Sequence, residues 1–173
     1  MAFELYDFTV VPFLRTVTQV SWVLDKGLDF CREKGIDPQE MVDTRLIGDM
    51  RPLQFQVQSV AHHSAQAIEA VQGGTFTPPP PIETQDYAGL QAMAAQARAR
   101  LEAMTPGVVN ALVGREVVLK IADRELPFTA EDFLLTFSLP NFYFHATTTY
   151  DILRMKGVPL QKRDFLGPLK LKA

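Results

Sequence analysis

The chain has 173 residues, enough for one domain with a sizeable core. Lys and Arg total 17 against 20 Asp and Glu, so the net charge of −3 argues against a general nucleic-acid binder, which would carry a basic patch. No apolar run approaches the ~18 residues that a membrane span needs, and Cys31, the single cysteine, excludes both an intramolecular disulfide and a cysteine metal cluster. The opening MAFELYDF, with Glu4 and Asp7 and no basic residue, does not read as a signal peptide, so a cytoplasmic location is the expectation.

Helix one is predicted from about Phe8 to Lys34. Phe13, Val17, Val20, Leu24, Leu28 and Cys31 recur at helical spacing as one apolar stripe, and Gly35 follows as a stop. Helix two is predicted to start near Asp49, a good N-cap, with Pro52 in the first turn. Its stripe is Leu53, Val57, Val60, Ala61, Ser64, Ile68 and Val71, and Gly73 and Gly74 end it. The linker GGTFTPPPPI (Gly73 to Ile82) spans roughly 31 Å in a polyproline conformation, close to the roughly 33 Å length of helix two. It can carry the chain back along the bundle, so that helices two and three run parallel and the bundle has a crossover connection. Helix three is predicted from about Thr84 to Met104, with Leu90, Met93, Ala97, Leu101 and Met104 on one side.

Between Glu116 and Phe128 the period shortens. Val117, Leu119 and Ile121 alternate with Val118 and Lys120, and Asp123 and Arg124 suit a turn, which predicts a small β-hairpin before the last helix. Helix four begins at Thr129, where Thr129 and Asp132 resemble a capping box, and ends at Gly157. Pro140 in its middle predicts a kink beside Asn141. The solvent stripe of helix four is Asp132, Thr136, Tyr143, Thr147, Asp151 and Arg154. His145 and Asn141 each lie about 200° from Tyr143 and point inward. A buried His and Asn on the inner face is where bundles build sites. Buried imidazole needs a partner, and Asn141, Thr148, Thr149 and Ser138 are within helical reach.

Inward-facing carboxylates are scarce: Asp132, Asp151 and Glu69 all fall on solvent stripes, so neither a di-metal carboxylate site nor an acid–base pair is evident. No G-x-S-x-G, P-loop or G-x-G-x-x-G motif occurs. On helix two, the wheel puts His62 about 165° from the apolar stripe, in solvent, and His63 about 95° off, at its flank. Trp22 lies about 165° from the centre of helix one's stripe, beside Val11 and Arg15, a composition found at interfaces; a homodimer is one expectation and cover by Phe165 and Leu166 the other.

Three segments, LIGDMRPLQFQVQ (Leu46 to Gln58), SLPNFYFHATTTYDILR (Ser138 to Arg154) and GVPLQKRDFLG (Gly157 to Gly167), resemble a family of bacterial domains of unknown function within the DinB/YfiT-like superfamily of four-helix bundles. The helix order, the crossover and the hairpin are similar to that superfamily across nearly the whole chain. The resemblance implies one domain, residues 1–173, an all-α four-helix bundle. Members of the superfamily often hold a divalent metal with three histidines, one from helix two and two spaced by four on helix four, and some activate a thiol for transfer. His145 matches a helix-four ligand; four residues on stands Thr149, and His63 is the nearer candidate on helix two. The three-histidine set is incomplete on this reading.

Three functions follow as expectations. The first is a small-molecule-binding domain with its pocket between helices two and four around Ser138, Asn141, His145 and Thr149. The second is a divalent-metal enzyme using His145 and His63. The third is a structural or dimerisation domain whose polar ladder only fixes packing register.

Overall fold

The computed structural model describes residues 3–81, 85–169 and 171–172. A short helix α1 (Leu5–Phe8) precedes the long α2 (Val10–Lys34), whose stripe residues Phe13, Val17, Val20, Leu24 and Cys31 are all buried. Gly35 ends α2 at φ 66°, a left-handed conformation natural to glycine. Helix α3 (Pro38–Val42) follows, capped by Asp37, whose side chain accepts from the Gln39 N–H at 2.9 Å.

Helix α4 covers residues 53–73. It is α-helical over Leu53–Ala61, π-helical over His62–Gln66 and α-helical again over Ala67–Gly73. Asp49 is not its N-cap, which corrects the sequence expectation. The residue before a proline is pushed out of the helical region, so Arg51 interrupts any helix begun at Asp49, and the cap falls at Pro52.

The chain then turns back. Strand β1 (Thr75–Phe76) is followed by a segment hung along the outside of α4: the Thr77 carbonyl meets His62, and the Pro80 carbonyl accepts from the Gln58 amide at 2.9 Å. Gln85 N–H donates to the Gln54 side chain at 3.4 Å. Helix α5 (Tyr87–Glu102) is capped by Asp86, which accepts from Gly89 N–H at 2.7 Å; the expected start at Thr84 lies outside the described residues. Contacts at Gln54–Gln85 and at the Glu69–Arg100 ion pair make α5 parallel to α4, the crossover arrangement anticipated from linker length.

After α6 (Pro106–Asn110), β2 (Glu116–Ile121) and β3 (Arg124–Thr129) pair antiparallel. The sheet has a third strand that the sequence reading lacked: β1 pairs parallel with β2, Thr75 opposite Val118. Two residues are too few to show a period. Helix α7 covers residues 130–155, with a π-helical stretch Phe133–Ser138 between Ala130–Asp132 and Leu139–Met155. Thr129 caps it, accepting from Asp132 N–H at 3.3 Å. Gly157 (φ 96°) turns the chain towards α8 (Lys162–Leu166), which packs on α2. The architecture is mostly helical with a small three-stranded sheet. Among the described residues, no helix is long and apolar enough to cross a membrane.

Helix α2 runs antiparallel to α5 and parallel to α7. Tyr87 Oη donates to the Leu24 carbonyl at 2.8 Å, and Phe13 meets Phe142 edge-on with centroids 4.8 Å apart. Gly27 is where α2 approaches α5: a Cβ built there would overlap the Tyr87 hydroxyl. Gly27→Ala should therefore cost about 1–3 kcal/mol by overpacking, although alanine favours the helix. In a Tyr87→Phe background the obstructing oxygen is gone and only the end of the Leu153 side chain stays close, so the same substitution should cost markedly less. Chemical denaturation of the four chains checks this, and equal costs in both backgrounds would refute the account.

Candidate functional site

Two π-helical turns face each other across the α4–α7 seam. A π turn carries one extra residue per turn and leaves part of the hydrogen-bond ladder open, and such turns recur at functional sites. Here Ser138, closing the π turn of α7, donates its hydroxyl to the carbonyl of His63 inside the π turn of α4, at 2.8 Å. Pro140 sits just past the α7 π turn, where its missing N–H is accommodated, and the Asn141 amide donates to the Phe137 carbonyl at 2.7 Å.

All three histidines gather at this seam. His63 and His145 stack with ring centroids 5.9 Å apart and planes 12° from parallel. His62 and His63 are both only 7% exposed, which corrects the solvated position expected for His62 and the flank position for His63. The wheel treats the outer side of α4 as wet, but β1 and the returning linker cover it. Phe76 packs on His62 at 4.4 Å and on His63 at 5.5 Å, and the Thr77 carbonyl accepts from His62 Nε2 at 2.8 Å. The other side of His63 meets Phe137 at 5.6 Å.

The protonation state of His145 can be read from its neighbour. Gln56 is buried, and its amide nitrogen donates to the Arg51 carbonyl at 2.8 Å. That fixes the amide orientation, so Gln56 Oε1 is the atom 2.7 Å from His145 Nδ1. An amide oxygen only accepts, so Nδ1 carries the proton and Nε2 is left with a lone pair. Burial lowers the His145 pKa from 6.5 to about 4. Burial also lowers that of His63 to about 3, helped by the neighbouring His62 and His145. Both rings are neutral at pH 7, and among the described residues His63 Nδ1 is buried without a hydrogen-bond partner. His145 itself is half-buried, flanked by Phe144 at 5.2 Å and Phe55 at 5.8 Å, with the Arg51 guanidinium 5.6 Å above the Phe55 ring.

The seam thus brings Ser138, Asn141, His145, Thr149 and His63 into one neighbourhood, but several are already committed. Thr149 Oγ1 donates to the His145 carbonyl at 2.9 Å, and Ser138 and Asn141 bond backbone as described. Gln56 and Phe55 are the residues that sequence reasoning passed over. Both lie inside the segment LIGDMRPLQFQVQ, and Gln56, three residues past Leu53 and four before Val60, sits at helical spacing from the buried stripe.

A three-histidine metal centre does not fit this arrangement. Catalytic zinc keeps at least three protein ligands, and among the described residues no three His, Cys, Asp or Glu side chains converge. Thr149 stands where a third imidazole is needed and spends its hydroxyl on the backbone. Two grooves lie away from the seam: one of about 390 Å³ between α2 and α5, lined by Asp25, Gln91 and Arg98 among others, and an apolar one of about 860 Å³ on the α2–α7 face.

Residues 5–166 match the family described as a domain of unknown function, DUF1993. The chain belongs to the DUF1993 family. A solved structure of a DinB family member protein from Shewanella denitrificans superimposes on this DUF1993 chain with a TM-score of 0.80 at 28% identity, covering 98% of this chain and 95% of that one. No curated protein matches the DUF1993 chain.

Proposed function

We propose that this DUF1993 chain is a small-molecule-binding domain, a DinB-like four-helix bundle whose site is the α4–α7 seam around His145. The observation that carries the reading is the Arg51–Gln56–His145 relay, which holds one imidazole tautomer with Nε2 bare. A desolvated neutral imidazole nitrogen is a strong acceptor with no competing proton. Phe55 and Phe144 on either side, with Arg51 beyond, favour a planar ligand that donates an N–H or O–H to Nε2. The Ser138 bond ties the two π turns together and the Asn141 bond occupies a carbonyl of the α7 π turn, so the polar ladder supports the site and His145 meets the ligand.

Phenol and anisole test the reading, because they share a ring and differ in the donor. Titration followed by the NMR signal of the His145 Cε1–H should show a saturable shift with phenol and about tenfold weaker response to anisole, the difference one hydrogen bond makes. Equal responses, or none, would refute it. Stoichiometric zinc in the purified chain that disappears in His145→Ala would favour the metal reading instead.

A further inference from the structure

The apolar groove is a second candidate site, independent of His145. Tyr143 and His145 leave α7 about 200° apart, so the groove opens on the other side of that helix. Helices α1, α2 and α7 form its floor, and α8 with the segment after it forms a wall. Val11, Leu139, Tyr143, Phe165 and Leu169 line it. Several of these stay open to solvent, Leu169 to 68%. Contiguous exposed apolar surface marks a binding site, and a concave groove of about 860 Å³ falls in the range of small-molecule sites rather than flat protein interfaces.

The wall is held by named contacts. Asp164 accepts from Lys26 Nζ at 3.1 Å and from Trp22 Nε1 at 3.3 Å, and Arg15 Nε donates to the Leu166 carbonyl at 2.9 Å. That last bond also fixes Arg15 at the groove and uses only one of its nitrogens. Among the described residues no carboxylate lies within 4.0 Å of Arg15. The groove's own carboxylate, Asp7, is occupied: its side chain accepts from the Glu4 N–H at 3.0 Å in a capping box. Arg15 is the one cation among the described residues that line the groove, and a guanidinium with donors to spare selects carboxylates.

We propose that this groove binds an amphipathic carboxylate, with the acid on Arg15 and an acyl chain or ring along Val11, Leu139 and Tyr143. Decanoate and decanol, below micelle-forming concentrations, are the probes, with calorimetry on the full chain. Decanoate should bind one per chain and decanol about tenfold more weakly, the size of one charge-assisted contact at a partly exposed site. Arg15→Met should abolish that preference while leaving decanol unaffected. Val11→Glu, on an exposed helix position, should abolish both. Equal binding of the two probes to the native chain, or no binding, would overturn the proposal. So would a dimer in sedimentation that Val11→Glu dissociates, because a second copy would then be the occupant.

Discussion

Acidification from pH 7 to pH 5 should cost the folded chain about 2 kcal/mol through His63 alone. His63 is buried beneath Phe76 and Phe137, and burial is the main cause of its fall from 6.5 to about 3. The unfolded chain takes up a proton near pH 6.5 and the folded chain does not until near pH 3. Between those values the unfolded state binds more protons, so stability rises with pH and levels off above about 6.5. The slope is about 1.4 kcal/mol per pH unit per group. His145, with its lowered value of about 4, adds in the same direction, but by less than the full slope because it is half-exposed to screening solvent. The carboxylates lowered by their partners, Glu131 and Asp164, act only at more acid pH. Urea unfolding at pH 7, 6 and 5 isolates the histidine window, and His63→Leu should flatten most of it. A native chain equally stable at pH 7 and 5 would show that these imidazoles are not desolvated.

Phe142→Ala should be among the most damaging single truncations on α7, at about 3–5 kcal/mol. Phe142 is fully buried where α7 runs beside α2, and its ring meets Phe13 edge-on at 4.8 Å. The loss combines the transfer free energy of a ring, the cavity left behind, and an aromatic pair that contributes about 0.5–1.5 kcal/mol beyond its area. For a chain of this size it amounts to a melting point lower by about 10 °C. Phe144→Ala, two residues on and 55% exposed, should stay within about 0.5 kcal/mol. The pair of melts therefore reads the orientation of α7 directly. Equal effects would mean that the helix is rotated relative to the face described.

The long helices were legible because their stripes are long. Phe13 to Cys31 and Leu53 to Val71 repeat often enough for the period to show, and Thr129 and Gly157 punctuate α7 through backbone chemistry local to each residue. Linker length even anticipated that α4 and α5 are parallel. The π turns left no such trace. An extra residue in one turn alters neither composition nor the pattern on either side, and its free carbonyl at His63 is matched by Ser138, 75 positions away. His62 shows the other limit. A wheel describes one helix in isolation, whereas His62 is buried by Phe76 and Thr77, which belong to the returning linker. His145 could be assigned to an inner face, yet its tautomer depends on Gln56 across the seam, a tertiary fact.

The parallel pairing of Thr75 with Val118 also bears on how fast the chain can fold. Bundles whose neighbouring helices are joined by short turns assemble from local contacts and do so quickly. Here the ladder between β1 and β2 forms only after the whole α5–α6 excursion has been closed into a loop, with its entropy lost before any strand bond forms in return. That ladder presses Phe76 over the histidines, so the seam is covered late. Until then His63 lacks the cover that Phe76 gives it in the folded chain.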